Sequence, residues 1–482
     1  MKEAYLELLK KADEWIDAHK DEFISEIQGL ARIPSVSRAD LAQENAPFGP
    51  DCRKMLDFAL ERGKAYGFDT QDFWGYAGAI SMGDTENSLG VIAHMDVVPV
   101  GEGWIYPPYG ATYLPEHDAL IGRGVGDNKG PGVAGLFAMR MLREFNWPLK
   151  HGIRLFLGMS EETGMQDIEA LVEKGITFPK TTLVPDGGYP VNYGQKGSIK
   201  GEISALCEGN LVSFDSGSVR NIVPDKAVCV VAVSEDKVRE AFKALDDELK
   251  EKLRVEKDGE NTRITSVGLA GHAAGPDSSI NAIHLLTKAL TVSDILSGSC
   301  KDAIKELYEL TSDNHCESEG AFFEDEMSGP ITLVYSVAHL ADGRLNVSLD
   351  CRYPIMCPQD WLRDTLIADW AKRGYRVDDF GMTKPFYIPK DDPRVVALQE
   401  LYKEVTGRDD EPYTMGGGTY SMVFPNAITY GAGMRGGRTA SGILPEGHGV
   451  GHGKDEILFL ENIHYCAKMY TVALAMLDDI VD

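Results

Sequence analysis

Apolar residues near the N-terminus recur at helical spacing. Leu6, Leu9, Phe23, Ile27 and Leu30 share one face of a segment that ends before Pro34. This pattern predicts helix over 3–33, and a second helix over 51–66 that stops at Gly67. The period then shortens. Apolar runs bounded by glycine, proline or charge predict strands at 77–82, 90–95, 153–159, 181–185 and 427–430. Helical patterns fall between them, over 131–145 and after Gly164. Strands alternating with helices predict an α/β fold, a mostly parallel sheet with helices on both faces.

After Pro190 the character changes. Segments 197–207, 226–233, 263–269, 331–339 and 344–350 alternate like antiparallel strands, with helices predicted over 236–254 and 360–373. The passage from 221–225 into a strand and helix is echoed by 344–353 leading into 360–373, which predicts a duplicated α+β unit. The α/β pattern resumes near Asp391, where Asp392-Pro393 reads as an N-cap and first turn, and Gly407 as a stop. A final helix is predicted over 457–479. The expected organisation is an α/β domain over 1–190 and 387–482, interrupted by an inserted α+β domain over 191–386.

Composition narrows the function classes. A chain of 482 residues exceeds one ordinary core, in keeping with two domains. A net charge of −27 argues against a phosphate-tracking surface, so nucleic acid is not an expected partner. Eight cysteines without a C-x-x-C pair predict reduced thiols and a cytoplasmic setting. The start of the chain lacks an apolar signal core, and no run of eighteen apolar residues occurs, so no membrane association is expected.

Polar clusters sit where the predicted strands of the α/β domain end. The run Gly90–His94 delivers His94 and, two places on, Asp96, whose carboxylate can hold the imidazole and leave its other nitrogen for a metal. Asp127 lies in a glycine-dense loop before a helix, and Ser160-Glu161-Glu162 follows the 153–159 strand. Adjacent carboxylates at a buried strand end repel unless a cation or proton separates them. Asp186 follows Pro185 at the next strand, and Gly447–Gly453 brings in His448 and His452. Imidazoles and carboxylates without thiolate suit zinc, manganese or cobalt, and this inventory exceeds the three ligands of a single catalytic zinc. Two ions about 3.5–4 Å apart, bridged by an aspartate, would use all of it and leave one glutamate as general base. The pattern alone does not decide between Glu161 and Glu162.

In that order, His94-Met95-Asp96, Gly126-Asp127-Asn128-Lys129-Gly130, Glu161-Glu162-Thr163-Gly164, Pro185-Asp186 and His452-x-x-Asp455-Glu456 resemble the metal-site motifs of the aminoacylase/carboxypeptidase-type dinuclear metallopeptidases. The length, the large insert and Met415-Gly416-Gly417-Gly418-Thr419-Tyr420 are most similar to the PepV-type bacterial dipeptidases. Asp455 departs from the asparagine of many relatives. The resemblance implies that Asp127 bridges two divalent ions, zinc first and manganese or cobalt in its place. His94 and Asp186 would complete one site, and Glu162 and His452 the other. Asp96 would orient His94, and Glu161 would be the general base on a water held between the ions. In the insert, His272 would stabilise the oxyanion, while Asn221, Arg352, Gly417 and Gly418 would bind substrate. The implied activity is hydrolysis of dipeptides with a free N-terminus by a monomer, with N-acyl-amino-acid deacylation as the alternative.

Gly431-Ala432-Gly433-Met434-Arg435-Gly436 also matches the dinucleotide fingerprint G-x-G-x-x-G, but more loop follows where that motif needs a helix. Neither G-x-S-x-G nor H-E-x-x-H is present, which argues against a serine hydrolase and a single-zinc helix protease.

Overall fold

The computed structural model describes residues 1–482. The chain divides into two compact units, one of Met1–Tyr193, Ile388–Tyr413 and Thr419–Asp482, the other of Gly194–Tyr387 and Thr414–Gly418. The predicted breaks at 190/191 and 386/387 compare with observed breaks at 193/194 and 387/388. The short segment Thr414–Gly418, whose first two residues end the strand Tyr413–Met415, goes with the second unit.

In the first unit, strands Gly152–Gly158, Ser88–His94, Thr182–Val184 and Ala427–Tyr430 pair side by side in parallel. Antiparallel neighbours flank them: Ala77–Met82 and Asp69–Phe73 on one side, Val191–Gln195 on the other. Both faces of the sheet are covered. Ile92 and Phe156 pack with Ile168 and Leu171 of helix Gln166–Glu173. On the opposite face, Leu155 and Leu157 gather with Leu30, Ala59, Val133 and Leu136. Burial on two sides is why Ser88–His94 carries no polar alternation and reads as one apolar run.

Helix Gly130–Glu144 lies close to this sheet because its inward positions are small. A Cβ on Gly132 would come 2.5 Å from the Met95 Cε, and one on Gly135 would come 3.0 Å from Val91. The parallel strands all point their C-terminal ends the same way, so the residues after His94, Gly158 and Val184 emerge along one edge. In open α/β sheets that edge is where ligands bind.

Two predicted helices are broken. The first is Glu3–Ala18 followed by Lys20–Ala31, with His19 between them at φ −115°. At the break the His19 ring lies with Nδ1 2.7 Å from the Trp15 carbonyl, which also accepts the His19 amide, and stacks on the Trp15 ring. The predicted helix over 236–254 is Glu235–Ala241 and Asp247–Glu251, then strand from Leu253; Asp246 caps the second piece through the Leu249 N–H. The last helix starts at Leu460, because Ile457–Phe459 pairs as a strand with Ala119–Ile121. No helix is long and apolar enough to cross a membrane.

The second unit holds an eight-stranded antiparallel sheet. Its middle strands, Leu211–Ser216 and Thr332–Ala341, meet through two residue pairs, Asp215 with His339 and Ser216 with Ala338. Each side of that narrow join has four strands. Helix Ala282–Ser293 packs on one half, and helices Ser299–Leu310 and Gln359–Lys372 on the other.

Gly158 ends its strand where a Cβ would sit 1.9 Å from the Tyr420 hydroxyl and 2.7 Å from Asp167. Gly158→Ala is expected to lower the unfolding free energy by about 1–3 kcal/mol, the usual cost of overfilling a packed core. A urea titration reads this as a lower midpoint, and an unchanged midpoint would contradict the packing described.

Candidate metal centre

Two donor groups form at the C-terminal edge of the first unit's sheet. His94, Asp127 and Asp186 make one, and Asp127, Glu162 and His452 the other, with donor atoms in each group within 4.8 Å of one another. Asp127 belongs to both. His94 Nε2 lies 3.0 Å from Asp127 Oδ1 and 3.9 Å from Asp186 Oδ2. His452 Nε2 lies 3.1 Å from Asp127 Oδ2 and 2.9 Å from Glu162 Oε1. Glu161 stands beside these residues but in neither group.

Local hydrogen bonds set each donor. His94 Nδ1 is 3.0 Å from the Asp96 carbonyl oxygen, which fixes a proton on Nδ1 and turns Nε2 toward Asp127 and Asp186. The Asp96 carboxylate is 3.6 Å from the same nitrogen and accepts instead from the Glu161 and Glu162 amides, each at 3.1 Å. Asp96 therefore braces the glutamate turn as well as the histidine. One layer further in, buried Asp167 accepts from the Met159 and Ser160 amides and from the Tyr420 hydroxyl. Asn128 donates from Nδ2 to the Pro185 carbonyl and to Asp186 Oδ1 at 3.2 Å. Lys129, fully buried, donates to the Leu30 and Ile33 carbonyls and ties the Asp127 loop to the end of helix Lys20–Ala31.

Sequence reasoning assigned no role to Asn128, Lys129, Asp167 or Tyr420. Asn128 and Lys129 sit inside a motif already singled out, and that was the available signal. Asp455 carries more than its departure from asparagine suggested. Its carboxylate accepts from the Ile105 and Tyr106 amides and pairs with His448 Nδ1, so the acid has an imidazole partner from its own loop.

The electrostatics show too much negative charge for the protein's own cations. Burial pushes Asp186 up to about 7, with the charges of Asp127 and Glu162 adding to it. Burial raises Glu161 well above the ordinary carboxylate range, followed by repulsion from Asp186, and burial raises Glu162 as well. Burial also works on Asp127, but its bonds to His452 and His94 outweigh it and hold that carboxyl far below the usual range. The bonds to Asp127 and Glu162 push His452 up to about 11. For His94, burial opposes the charged form, yet Asp127, Asp96 and Asp186 hold it well above its ordinary value. Protons thus occupy positions where a divalent cation would do better, and the all-carboxylate-and-imidazole donor set fits such ions.

The second unit gathers the remaining predicted residues. Ile222 pairs with His272 across a two-strand ladder, and the Ala273 amide donates to the Asn221 carbonyl. The Ala274 amide donates to His272 Nδ1 at 3.1 Å, which puts the ring proton on Nε2. Asp350 grips Arg352 at Nε and Nη2, at 2.6 and 2.9 Å, leaving Nη1 to the Gly416 carbonyl at 3.4 Å. Gly416 lies against Ala274, so the loop with Gly417 and Gly418 adjoins the His272 turn. The dinucleotide fingerprint lacks its helix: turns follow Gly433, and the next helix starts at Leu460.

The sequence model of peptidase family M20/M25/M40 matches residues 90–476. A Bacillus subtilis (strain 168) protein named "Putative dipeptidase YtjP" is 27% identical over 469 residues, covering 94% of this chain and 97% of that one. A Staphylococcus epidermidis protein named "Putative dipeptidase" is 30% identical over 432 residues, covering 86% and 90%. Among solved structures, human carnosine dipeptidase 1 superimposes with a TM-score of 0.56 at 17% identity, covering 98% of this chain and 100% of that one. The Saccharomyces cerevisiae di-peptidase Dug1p gives 0.59 at 14% identity, covering 98% of each. These two structures share the fold.

Ion binding must displace protons here. His452, held up to about 11, is charged at neutral pH and cannot ligate until it loses its proton; Asp186, near 7, is half protonated. Both shifts are upward, so the stability they lend the ion-free chain is complete below the ordinary values of 6.5 and 3.8. That contribution is lost as pH rises through about 11 and about 7 respectively. Adding zinc to chelator-stripped protein at pH 7 in weak buffer is expected to acidify the solution, and zinc affinity is expected to rise with pH through about 7. Zinc uptake with no proton release would exclude His452 from the ion's shell.

Proposed function

The chain belongs to peptidase family M20/M25/M40, and from that premise we propose that it is a metal-dependent dipeptidase acting on dipeptides with a free N-terminus. The observation that carries this reading is the pair of donor groups sharing Asp127, with a half-buried glutamate, Glu161, beside them that neither group uses. The names of the sequence relatives support dipeptides over N-acyl amino acids as substrates. Zinc is the proposed ion, with manganese or cobalt able to take its place. The eight free, buried cysteines support a reducing, cytoplasmic setting.

His94 and Asp186 would hold one ion, Glu162 and His452 the other, with Asp127 between them. Two ions held there would polarise the scissile carbonyl and make a water acidic enough to attack it near neutral pH. Glu161 takes the proton of the attacking water and later hands it to the leaving amine. Its pKa, raised in the ion-free site by burial and by Asp186, falls once that repulsion is neutralised, so the carboxylate is free to act as a base. Asp96, holding the amides of Glu161 and Glu162, keeps base and ligand in fixed relation.

From the second unit, His272 would donate its Nε2–H to the developing oxyanion. The Ala274 amide on Nδ1 keeps the ring in the tautomer that can donate without carrying a charge. Arg352, with two nitrogens locked by Asp350, would offer its remaining edge to the substrate's C-terminal carboxylate beside Asn221, Gly417 and Gly418.

Chelation is expected to abolish hydrolysis of a simple dipeptide, and zinc, manganese or cobalt to restore it, with the N-acetylated dipeptide uncleaved throughout. Cleavage of the acetylated form alone would make the chain a deacylase. Glu161→Gln is expected to lower kcat by about 10²–10⁴ with ion content kept, whereas Glu162→Gln loses ion. His272→Ala is expected to lower kcat by about 10²–10³, also with ion content kept. A wild-type kcat in that variant would remove His272 from the chemistry.

A further inference from the structure

Behind the metal centre lies an ion pair that the mechanism does not use. Arg123 and Glu456 are 1% and 2% exposed, and Arg123 Nη1 donates to Glu456 Oε2 at 2.9 Å. Each partner also holds one of the donor loops. Glu456 accepts from the amides of Gly124 at 3.0 Å, Gly126 at 2.9 Å and Asp127 itself at 3.0 Å. Arg123 uses Nη2 to donate to the backbone carbonyl of His452 at 3.0 Å, and its guanidinium lies over the Trp104 ring.

The two loops meet at Asp127 and His452, which share a donor group and lie 325 residues apart in sequence (452 − 127). His452 has a φ of 61°, a left-handed conformation that a β-carbon-bearing residue keeps only when its surroundings hold it. The Arg123 bond to its carbonyl is such a restraint. In a site this dry, a planar fork that bonds a carboxylate with one nitrogen and a carbonyl with another fixes direction as well as distance.

We propose that Arg123 and Glu456 are a positioning pair that sets the spacing between Asp127 and His452, and so tunes ion affinity without touching ion or substrate. The inference rests on the two-ion reading of the site, and it separates the two partners. Arg123 acts on His452, which belongs to one donor group alone, while Glu456 acts on Asp127, which belongs to both. Removing the arginine therefore weakens one ion, and removing the carboxylate's grip weakens two.

The test uses the full-length chain, stripped by chelation and titrated with cobalt. Bound ion is counted by mass spectrometry, and visible absorption is read at one and two equivalents. Wild type is expected to take two ions. In Arg123→Met the second ion is expected to bind about 10–100-fold more weakly, the usual effect of losing an outer partner of a ligand. Its first ion, and kcat and KM at saturating cobalt, stay near wild type. In Glu456→Gln both ions weaken. Arg123→Lys keeps the charge but cannot span both acceptors, so it is expected to show a smaller loss of the second ion; it carries the test if Arg123→Met does not fold. Arg123 variants that bind both ions as wild type does, or that weaken both equally, overturn the proposal while the two-ion reading stands. A wild-type chain that takes fewer than two ions overturns that reading, and the pair's role with it.

Discussion

Negative charge crowded at one partly buried sheet edge is the constraint on which the rest depends. Asp96, Asp127, Glu161, Glu162 and Asp186 crowd one sheet edge, with Asp167 and Glu456 immediately behind. Carboxylates in such surroundings either take protons or find cations. The protein's own cations are few: the imidazoles of His94 and His452, with Arg123 and Lys129 set further back. Lys129 itself is pushed down to about 7 by burial, so the interior barely tolerates even a compensating charge. What remains uncompensated is the affinity for divalent ions.

The carboxylates that do not face the ions have a second use. Asp96 holds the amides of Glu161 and Glu162, Glu456 holds those of the Asp127 loop, and Asp167 holds those at the end of strand Gly152–Gly158. Loops carrying functional groups are usually the mobile part of a fold. Here each is fastened by charge-assisted bonds to its own backbone amides, which are stronger than neutral ones and directional. A centre assembled from separate loops gains the rigidity that catalysis asks of it.

In the second unit the Ala274 amide donates to Nδ1 of His272. Arg352 has most of its charge answered by Asp350, a fully buried partner, which leaves it a directional donor. The eight-stranded sheet behind them, with its two-pair join, supplies a broad rigid backing.

Much of this was legible in the chain because the signals are local. Continuous apolar runs marked buried strands of the sheet, Ala77–Met82 and Ala427–Tyr430 to the residue, and polar residues just past the parallel ones marked the ligand edge. Asp392 and Gly407 bounded their helix by capping chemistry that needs no distant partner. Helix Ala282–Ser293, which the apolar pattern does not predict, has a local signal in its Asn281 cap. The strand at Ile457–Phe459, where helix was expected, was not legible, since it depends on pairing with Ala119–Ile121, far away in sequence. The same holds within the centre. The sequence by itself determined which donor types arrive, and at which strand ends, because alternation and periodicity act over a few residues. Only the tertiary structure decided that the Asp96 carboxylate turns toward two amides, and that Arg123 joins Glu456 to the His452 carbonyl. Those are contacts between segments tens to hundreds of residues apart, and no local pattern encodes which buried charge will find which partner.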